Sequence, residues 1–326
     1  MRAVVLREFG SADQLRIDSF PDPAEASGWV VVRLRASALN WHDVLVRQGR
    51  YRSPLPHVLG ADGAGERIDT GEPVMVLPSL WWGADESAPA PDFQILGDQL
   101  PGTYAELVRV PAECLVPKPA RLSWTQAAAL PLVGVTCFRA LFTRGRLSSG
   151  ESLLVFGTGG GVATMAVSLA VAIGARVVVT SSSLAKIEQA QELGADGGVQ
   201  HTDEDWVSAA RDRSPGGRGF DVVLDPVGRW TEAVRALRPG GRLVVLGANL
   251  AELATMDVRS FYFGQYDLLG TTMGSPKDFA GLLSLLDSTP VAPPVVDTVF
   301  PLEAAAEAHR RLESGAGFGK VVLTHD

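Results

Sequence analysis

The segment Leu153-Leu154-Val155-Phe156-Gly157-Thr158-Gly159-Gly160-Gly161-Val162-Ala163 narrows the folds open to this chain more than any other. An aliphatic run passes through a glycine-rich turn directly into an apolar helical stretch, the order strand, turn, helix start. Glycine lets the backbone come close to a bound pyrophosphate, and the free N–H groups and dipole at the helix start receive its charge. The strict spacing is Gly157, Gly160, Ala163, with Gly159 and Gly161 extra. A glycine cluster alone is a weak signal, and a tight structural turn is its other reading. Here it lies inside a longer alternation, which makes it strong. Strands are expected over 152–156, 176–180, 221–225 and 242–247, and helices over 162–173, 184–193 and 231–237. Such alternation implies a doubly wound parallel sheet with right-handed crossovers.

A chain of 326 residues, 46% hydrophobic and 20% charged, has material for about two domains of ~150 residues with real cores. Its net charge of −8 argues against nucleic acid or an anionic membrane as partner. Two cysteines, Cys114 and Cys137, cannot build a disulfide framework or a four-thiolate metal site, and such scarcity fits a reducing compartment. The first eight residues read as a short strand that meets charge too soon for a signal peptide. The apolar run over 162–179 is interrupted by Gly174 and Arg176 and falls within the alternation, so it reads as buried core. The expectation is a soluble, cytoplasmic protein.

The first third differs in character. Short β-like segments at 30–34, 66–68 and 74–77 are punctuated by Pro21, Pro23, Pro54, Pro56 and Pro78, as in a small barrel-like domain with long loops. Residues 79–101 form a Trp-bearing insertion without period, read as a surface lobe or lid. Ser123 with Gln126 makes a capping-box pattern that opens a helix. After residue 270 come loops, two helices and a last strand over 320–324, expected to return to the first domain. The expected division is 1–122, 123–270 and 271–326.

A site for NAD commonly carries an acidic residue ~20 positions beyond the glycines, facing the ribose 2′-hydroxyl. This chain has Ser181 and Ser182 there, with Lys186 one helical turn on. Hydroxyls and an ammonium suit a 2′-phosphate that a carboxylate would repel, so NADPH is favoured over NADH. The serine run also serves as a helix cap.

Several motifs in order resemble the medium-chain dehydrogenase/reductase superfamily. They are Gly-Thr-Gly-Gly-Gly-Val-Ala at 157–163, Leu59-Gly60-Ala61-Asp62-Gly63-Ala64-Gly65, Asp225-Pro226-Val227-Gly228, Leu237-Arg238-Pro239-Gly240-Gly241-Arg242, and the closing Gly317-Phe318-Gly319-Lys320-Val321-Val322-Leu323. The resemblance covers essentially the whole chain. It implies an α/β protein, a GroES-like β-rich catalytic domain plus a Rossmann doubly wound parallel-sheet domain, the C-terminal segment rejoining the first.

Many members hold a catalytic zinc, whose ligand positions correspond to Asn40, Ala61 and Leu132. Alanine and leucine have no lone pair for a metal. The structural zinc lobe needs four close cysteines, and 81–113 has none. Among His42, His57, His201, His309 and His325 no close ligand pair is seen. His42 and His57 could meet in space, but they read as solvated loop residues. No metal is expected.

The chain is therefore similar to the zinc-independent quinone oxidoreductase and enoyl reductase branch, in which NADPH delivers hydride to a quinone or to the β-carbon of an α,β-unsaturated carbonyl. By resemblance, Asn40 binds the nicotinamide ribose or substrate oxygen, or stabilises a turn. Tyr51 donates a hydrogen bond or proton, or forms an aromatic wall. Thr136 lies near the nicotinamide ribose, or caps a helix. Cys137 reads as a small buried residue. The cofactor contacts implied are Gly157, Thr158, Gly159, Gly160, Gly161, Val162, Ala163, Ser181, Ser182, Lys186, Gly247, Thr272, Met273, Phe318 and Lys320. Trp41, Trp81, Trp82 and Phe263 are candidate pocket walls, with plain core or a dimer contact as their other reading. The aromatic segment 260–266 before the strand 268–270 implies a homodimer, since relatives extend the sheet there across a twofold. The rival readings are a biosynthetic enoyl or carbonyl reductase, its pocket shaped by 79–101, and a non-catalytic NADPH-binding protein.

Overall fold

The computed structural model describes residues 1–325. They divide into two compact units, Met1–Val133 with Ser275–Phe279 and 293–325, and Gly134–Gly274 with Ala280–Ala292.

In the first unit the long strand Trp29–Ala38 is the hub. It pairs antiparallel with Asp62–Arg67, with Leu107–Pro111 and with the C-terminal strand Lys320–Thr324. The register sets Ala38 opposite both Asp62 and Val322, and this brings the C-terminal strand beside strands from the first third of the chain. A three-stranded sheet of Leu15–Ser19, Arg2–Leu6 and His57–Val58 closes over a core that includes Leu6, Leu39, Leu59, Tyr104, Leu302 and Leu323.

In the second unit six parallel strands run in the order Gly197–Gln200, Arg176–Ser181, Ser152–Val155, Phe220–Asp225, Leu237–Val245, Asp267–Gly270. This is the 3-2-1-4-5-6 order of a doubly wound dinucleotide fold, its switch point between Ser152–Val155 and Phe220–Asp225. Leu153, Leu154 and Val155 are all fully buried, as expected of a central strand covered on both faces.

The sequence reading leaves Gly197–Gln200 and Trp206–Asp212 unassigned, and the structure makes them a strand and a helix. Two glycines hide the strand. A Cβ on Gly198 would lie 2.6 Å from Ile187 Cγ2 and 3.0 Å from the Val179 carbonyl oxygen, so close packing of the helix Leu184–Glu192 requires glycine in a strand. The first unit also extends beyond the expected boundary at 122. The helix Trp124–Ala128 packs on Trp29–Ala38 and Asp62–Arg67, and the Leu132 N–H donates to Asp62 Oδ1 at 2.7 Å. Residues Ala280–Ala292, expected with the C-terminal segment, group with the second unit, where Gly281 lies against the Phe138 ring.

The insertion 79–101 has a small core of its own. Ser79–Leu80 pairs with Gln94–Ile95, and Trp82 is 2% exposed with its ring edge-on to Phe93 at 5.4 Å. Trp82 is therefore a packing residue of this lobe, not a pocket wall.

Candidate active site and cofactor loop

The glycine-rich loop leaves Ser152–Val155 and opens the helix Gly161–Ala172. Gly157 and Gly159 have φ of +70° and +121°, a region costly to residues with a side chain. The loop is tied down by Thr180, whose Oγ1 accepts from the Gly157 N–H at 3.1 Å and whose carbonyl accepts from the Thr158 N–H at 2.8 Å. A Cβ on Gly160 would meet nothing within 4 Å, and the Thr158 hydroxyl is buried without a partner among the described residues. Open space over the helix start beside an unanswered hydroxyl is what a pyrophosphate would fill.

At the next strand end, Ser181 is buried and its Oγ accepts from the Ser183 N–H at 3.1 Å, while Ser182 is exposed and Lys186 half-buried in the first turn of Leu184–Glu192. Two basic residues that the sequence does not single out as cofactor contacts, His201 and Arg229, join this end. The His201 N–H donates to the Ser181 carbonyl at 3.0 Å, and its Nδ1 is buried without a partner among the described residues. Burial and the Arg229 charge hold the His201 ring below its ordinary pKa. Both lie in stretches without helical or strand period, which hid them. Beyond the switch point, Asp225 accepts from the N–H groups of Val227, Gly228 and Arg229 and shapes that turn. A Cβ on Gly247 would sit 2.1 Å from the Pro226 carbonyl oxygen, so this position must be glycine for the two strand ends to pass.

Thr136 lies inside the helix Pro131–Phe138 rather than at its N-cap, and its hydroxyl points to Met273 Sδ at 3.9 Å. Met273 is buried with φ +40°, and Thr272 beside it is exposed. The Phe318 N–H donates to Asp297 Oδ1, and Asp297 is held by a two-point contact from Arg311.

In the first unit the three positions that the resemblance sets against zinc ligands lie around Asp62. Asn40 Nδ2 donates to Asp62 Oδ2 at 2.9 Å, Ala61 is its chain neighbour, and Leu132 gives its backbone N–H to Oδ1. The centre of this group is Lys320, whose Nζ donates to Asn40 Oδ1 at 2.5 Å and to Asp62 Oδ2 at 3.0 Å. Two expectations change here. Lys320 is not a cofactor cation, because its ammonium is buried against Asp62. Asn40 is not an open ligand for substrate or ribose, because both ends of its amide are engaged within the group.

Tyr51 is 41% exposed and rests edge-on against the His42 ring, centroids 4.5 Å apart. His42 Nε2 is 2.5 Å from Asp98 Oδ1, with side-chain exposures of 12% and 14%. His57 is buried, its Nε2 2.7 Å from the Gly97 carbonyl oxygen. Neither histidine is solvated as expected, because the insertion folds back and supplies Gly97 and Asp98 as their partners. Asp43, on the helix Trp41–Arg47, accepts from the Asn40 N–H and the Tyr104 hydroxyl, and burial pushes its carboxyl up to about 6. No group of three or more His, Cys, Asp or Glu among the described residues is arranged to hold a metal.

Comparison with known proteins follows this division. A family model described as an alcohol dehydrogenase GroES-like domain matches residues 26–120, and one described as a zinc-binding dehydrogenase matches 161–288. A zinc-type alcohol dehydrogenase-like protein of Schizosaccharomyces pombe is 33% identical over 100% of this chain and 99% of its own. The chain belongs to the medium-chain dehydrogenase/reductase superfamily, in its quinone oxidoreductase-like branch. Among other members of this superfamily, an NADPH-dependent alkenal/one oxidoreductase of Arabidopsis thaliana is 31% identical over 99% of this chain and 79% of its own. A crystal structure of an NAD-dependent alcohol dehydrogenase superposes with TM-score 0.94 at 38% identity, covering 100% of both chains. The protein is thus an oxidoreductase of a superfamily that uses nicotinamide cofactors, and its glycine loop fits one.

Proposed function

We propose that this member of the superfamily reduces a quinone or an α,β-unsaturated carbonyl with NADPH and without zinc. The observation that carries the reading is the buried Lys320–Asp62–Asn40 group, set where the family resemblance would put the catalytic metal. Its chemistry is unsuited to zinc, since two of the three ligand positions are alanine and leucine and an ammonium already neutralises the carboxylate.

Without a Lewis acid, acceptors that place charge where hydrogen bonds can meet it are favoured. Hydride addition to an enone gives an enolate, whereas reduction of an isolated ketone gives a more basic alkoxide, for which zinc is commonly recruited. When bound, the cofactor supplies the hydride. Gly157, Gly160 and the first turn of Gly161–Ala172 hold its pyrophosphate, and Thr158 donates its free hydroxyl there. Ser182, Lys186, His201 and Arg229 receive the 2′-phosphate. Tyr51 gives its O–H to the acceptor oxygen; burial and the Asp98 charge raise its pKa, so it stays a donor. The alkenal/one oxidoreductase relative supports this acceptor class.

Anaerobic stopped-flow mixing of metal-stripped protein and NADPH with a panel of quinones and enones tests the reading. Oxidation of NADPH without zinc is expected, and activity that returns only on adding zinc overturns it.

A second copy of the chain is proposed to pair along Asp267–Gly270. This strand ends the six-stranded sheet with its outer edge open, and Val258, Tyr262 and Phe263 stand exposed on the preceding helix Val258–Gly264.

A further inference from the structure

His42 has no role in the reading above and Asp98 enters it only through its charge beside Tyr51, yet the two are built as a pair. Asp98 comes from the insertion, and its place is fixed by backbone packing. Gly97 has φ +90°, and a Cβ there would lie 2.9 Å from the Gly60 carbonyl oxygen. The Gly102 N–H donates to the Val58 carbonyl at 2.8 Å, which pins the loop's far side. His42 is fixed independently, on the helix that Asn40 and Asp43 start. Two segments distant in sequence thus meet with one imidazole nitrogen on a carboxylate. Nδ1 of His42 has no partner among the described residues, and one face of the ring carries Tyr51.

We propose that the His42–Asp98 pair is the proton source for the acceptor held by Tyr51, with His42 as general acid. This rests on the reading that Tyr51 binds the acceptor oxygen. A carboxylate on one ring nitrogen fixes the tautomer and stabilises the imidazolium, leaving the other nitrogen to move the proton. The balance for an enone is complete. The hydride would come from C4 of the reduced nicotinamide, whose C–H bond breaks as the cofactor is oxidised; it brings two electrons and forms a C–H bond at the β-carbon, and the displaced π pair goes to the carbonyl oxygen as an enolate. The enolate takes one proton as the His42 N–H bond breaks, and His42 regains a proton from water. Tyr51 keeps its own proton and serves only as hydrogen-bond donor.

The surroundings agree. Burial pulls His42 down, but the Asp98 hydrogen bond and the charges of Asp98 and Asp43 outweigh it and hold the ring above its ordinary pKa. The titratable groups facing the pair are Asp98, Asp43 on the same helix, Tyr51, and His57 at Gly97, which also feels the Asp98 charge. His57 is held below its ordinary value by burial, so at neutral pH it adds no competing cation.

The experiment is the pH dependence of kcat for NADPH reduction of cyclohexenone by the native protein, His42→Ala and Asp98→Asn, with product analysis using NADPH deuterated at C4. In the native protein kcat is expected to fall as pH rises through a value above the usual ~6.5 of imidazole. His42→Ala is expected to lose that limb and ~10²-fold or more of kcat, partly restored by added imidazole. Asp98→Asn should move the limb to lower pH. Deuterium transfer with an unchanged limb in His42→Ala overturns the proposal alone. Absence of deuterium transfer from the native protein to any enone or quinone overturns both the proposal and the reading beneath it.

Discussion

Lys320 Nζ lies 3.0 Å from Asp62 Oδ2, the lysine side chain 4% exposed and the aspartate fully buried. The two residues are 258 positions apart in sequence. Their meeting follows from strand register, since Lys320–Thr324 and Asp62–Arg67 flank opposite sides of Trp29–Ala38.

Removing one partner of such a pair leaves an uncompensated charge in the interior. Lys320→Met is expected to destabilise the protein by ~3–5 kcal/mol, and Asp62→Leu added to it to recover most of the loss. Chemical denaturation of both variants at pH 7.5 measures this. A loss below ~1 kcal/mol in the single variant would show that water or another cation replaces the ammonium.

The cofactor loop separates binding from folding. Gly160 has φ −76° and open space, so Gly160→Ala should fold normally yet weaken NADPH ~10-fold or more by filling the pyrophosphate site. Gly157 has φ +70°, so Gly157→Ala should also cost ~1–2 kcal/mol in stability. Calorimetric titration beside denaturation curves distinguishes the two effects.

Cofactor choice is best tested at Ser182, because Ser181 is buried and its hydroxyl is used in the turn. Ser182→Asp should weaken NADPH by ~10-fold, a like-charge penalty of ~1.4 kcal/mol, and leave NADH unchanged or improved. Equal changes for both cofactors would place the 2′-phosphate elsewhere.

Acid should destabilise the first unit through two buried histidines. His309 and His325 are held neutral by burial, with pKa lowered to about 3 and about 4. Between those values and the unfolded ~6.5 the unfolded chain binds more protons, so stability falls as pH drops. At pH 5 the loss is ~2 kcal/mol for each histidine. Asp43, with its carboxyl up to about 6, works the other way, since its folded form takes up the proton first. It offsets ~1.4 kcal/mol between pH 7 and pH 5. A net loss of stability is therefore expected, and His309→Leu should reduce it. Denaturation curves at pH 7 and pH 5 provide the check, and a rise in stability on acidification would contradict the assignment.

The doubly wound unit was legible because its strands and helices carry period and its loop carries glycine. Three of its strands are legible to within one residue from local pattern alone, and the expected 242–247 misses the first five residues of Leu237–Val245; Gly197–Gln200 is hidden because its glycines serve a close approach rather than strand propensity. Tyr51 and Thr136 are singled out only by the family resemblance, since neither residue type nor spacing marks them. His42 looked like a loop histidine, since nothing near it in sequence announces a carboxylate from residue 98.

The amino-acid sequence by itself determined the order of most elements, the glycine-rich turn between strand and helix and the absence of metal donors at 61 and 132, because these depend on residue type and short spacing. Tertiary structure alone decided that Lys320 turns inward to Asp62, that Asn40 is spent on that pair, and that Asp98 reaches His42. Such contacts depend on strand register and on how an insertion folds back, and the free energy that fixes them is burial shared among segments far apart in the chain.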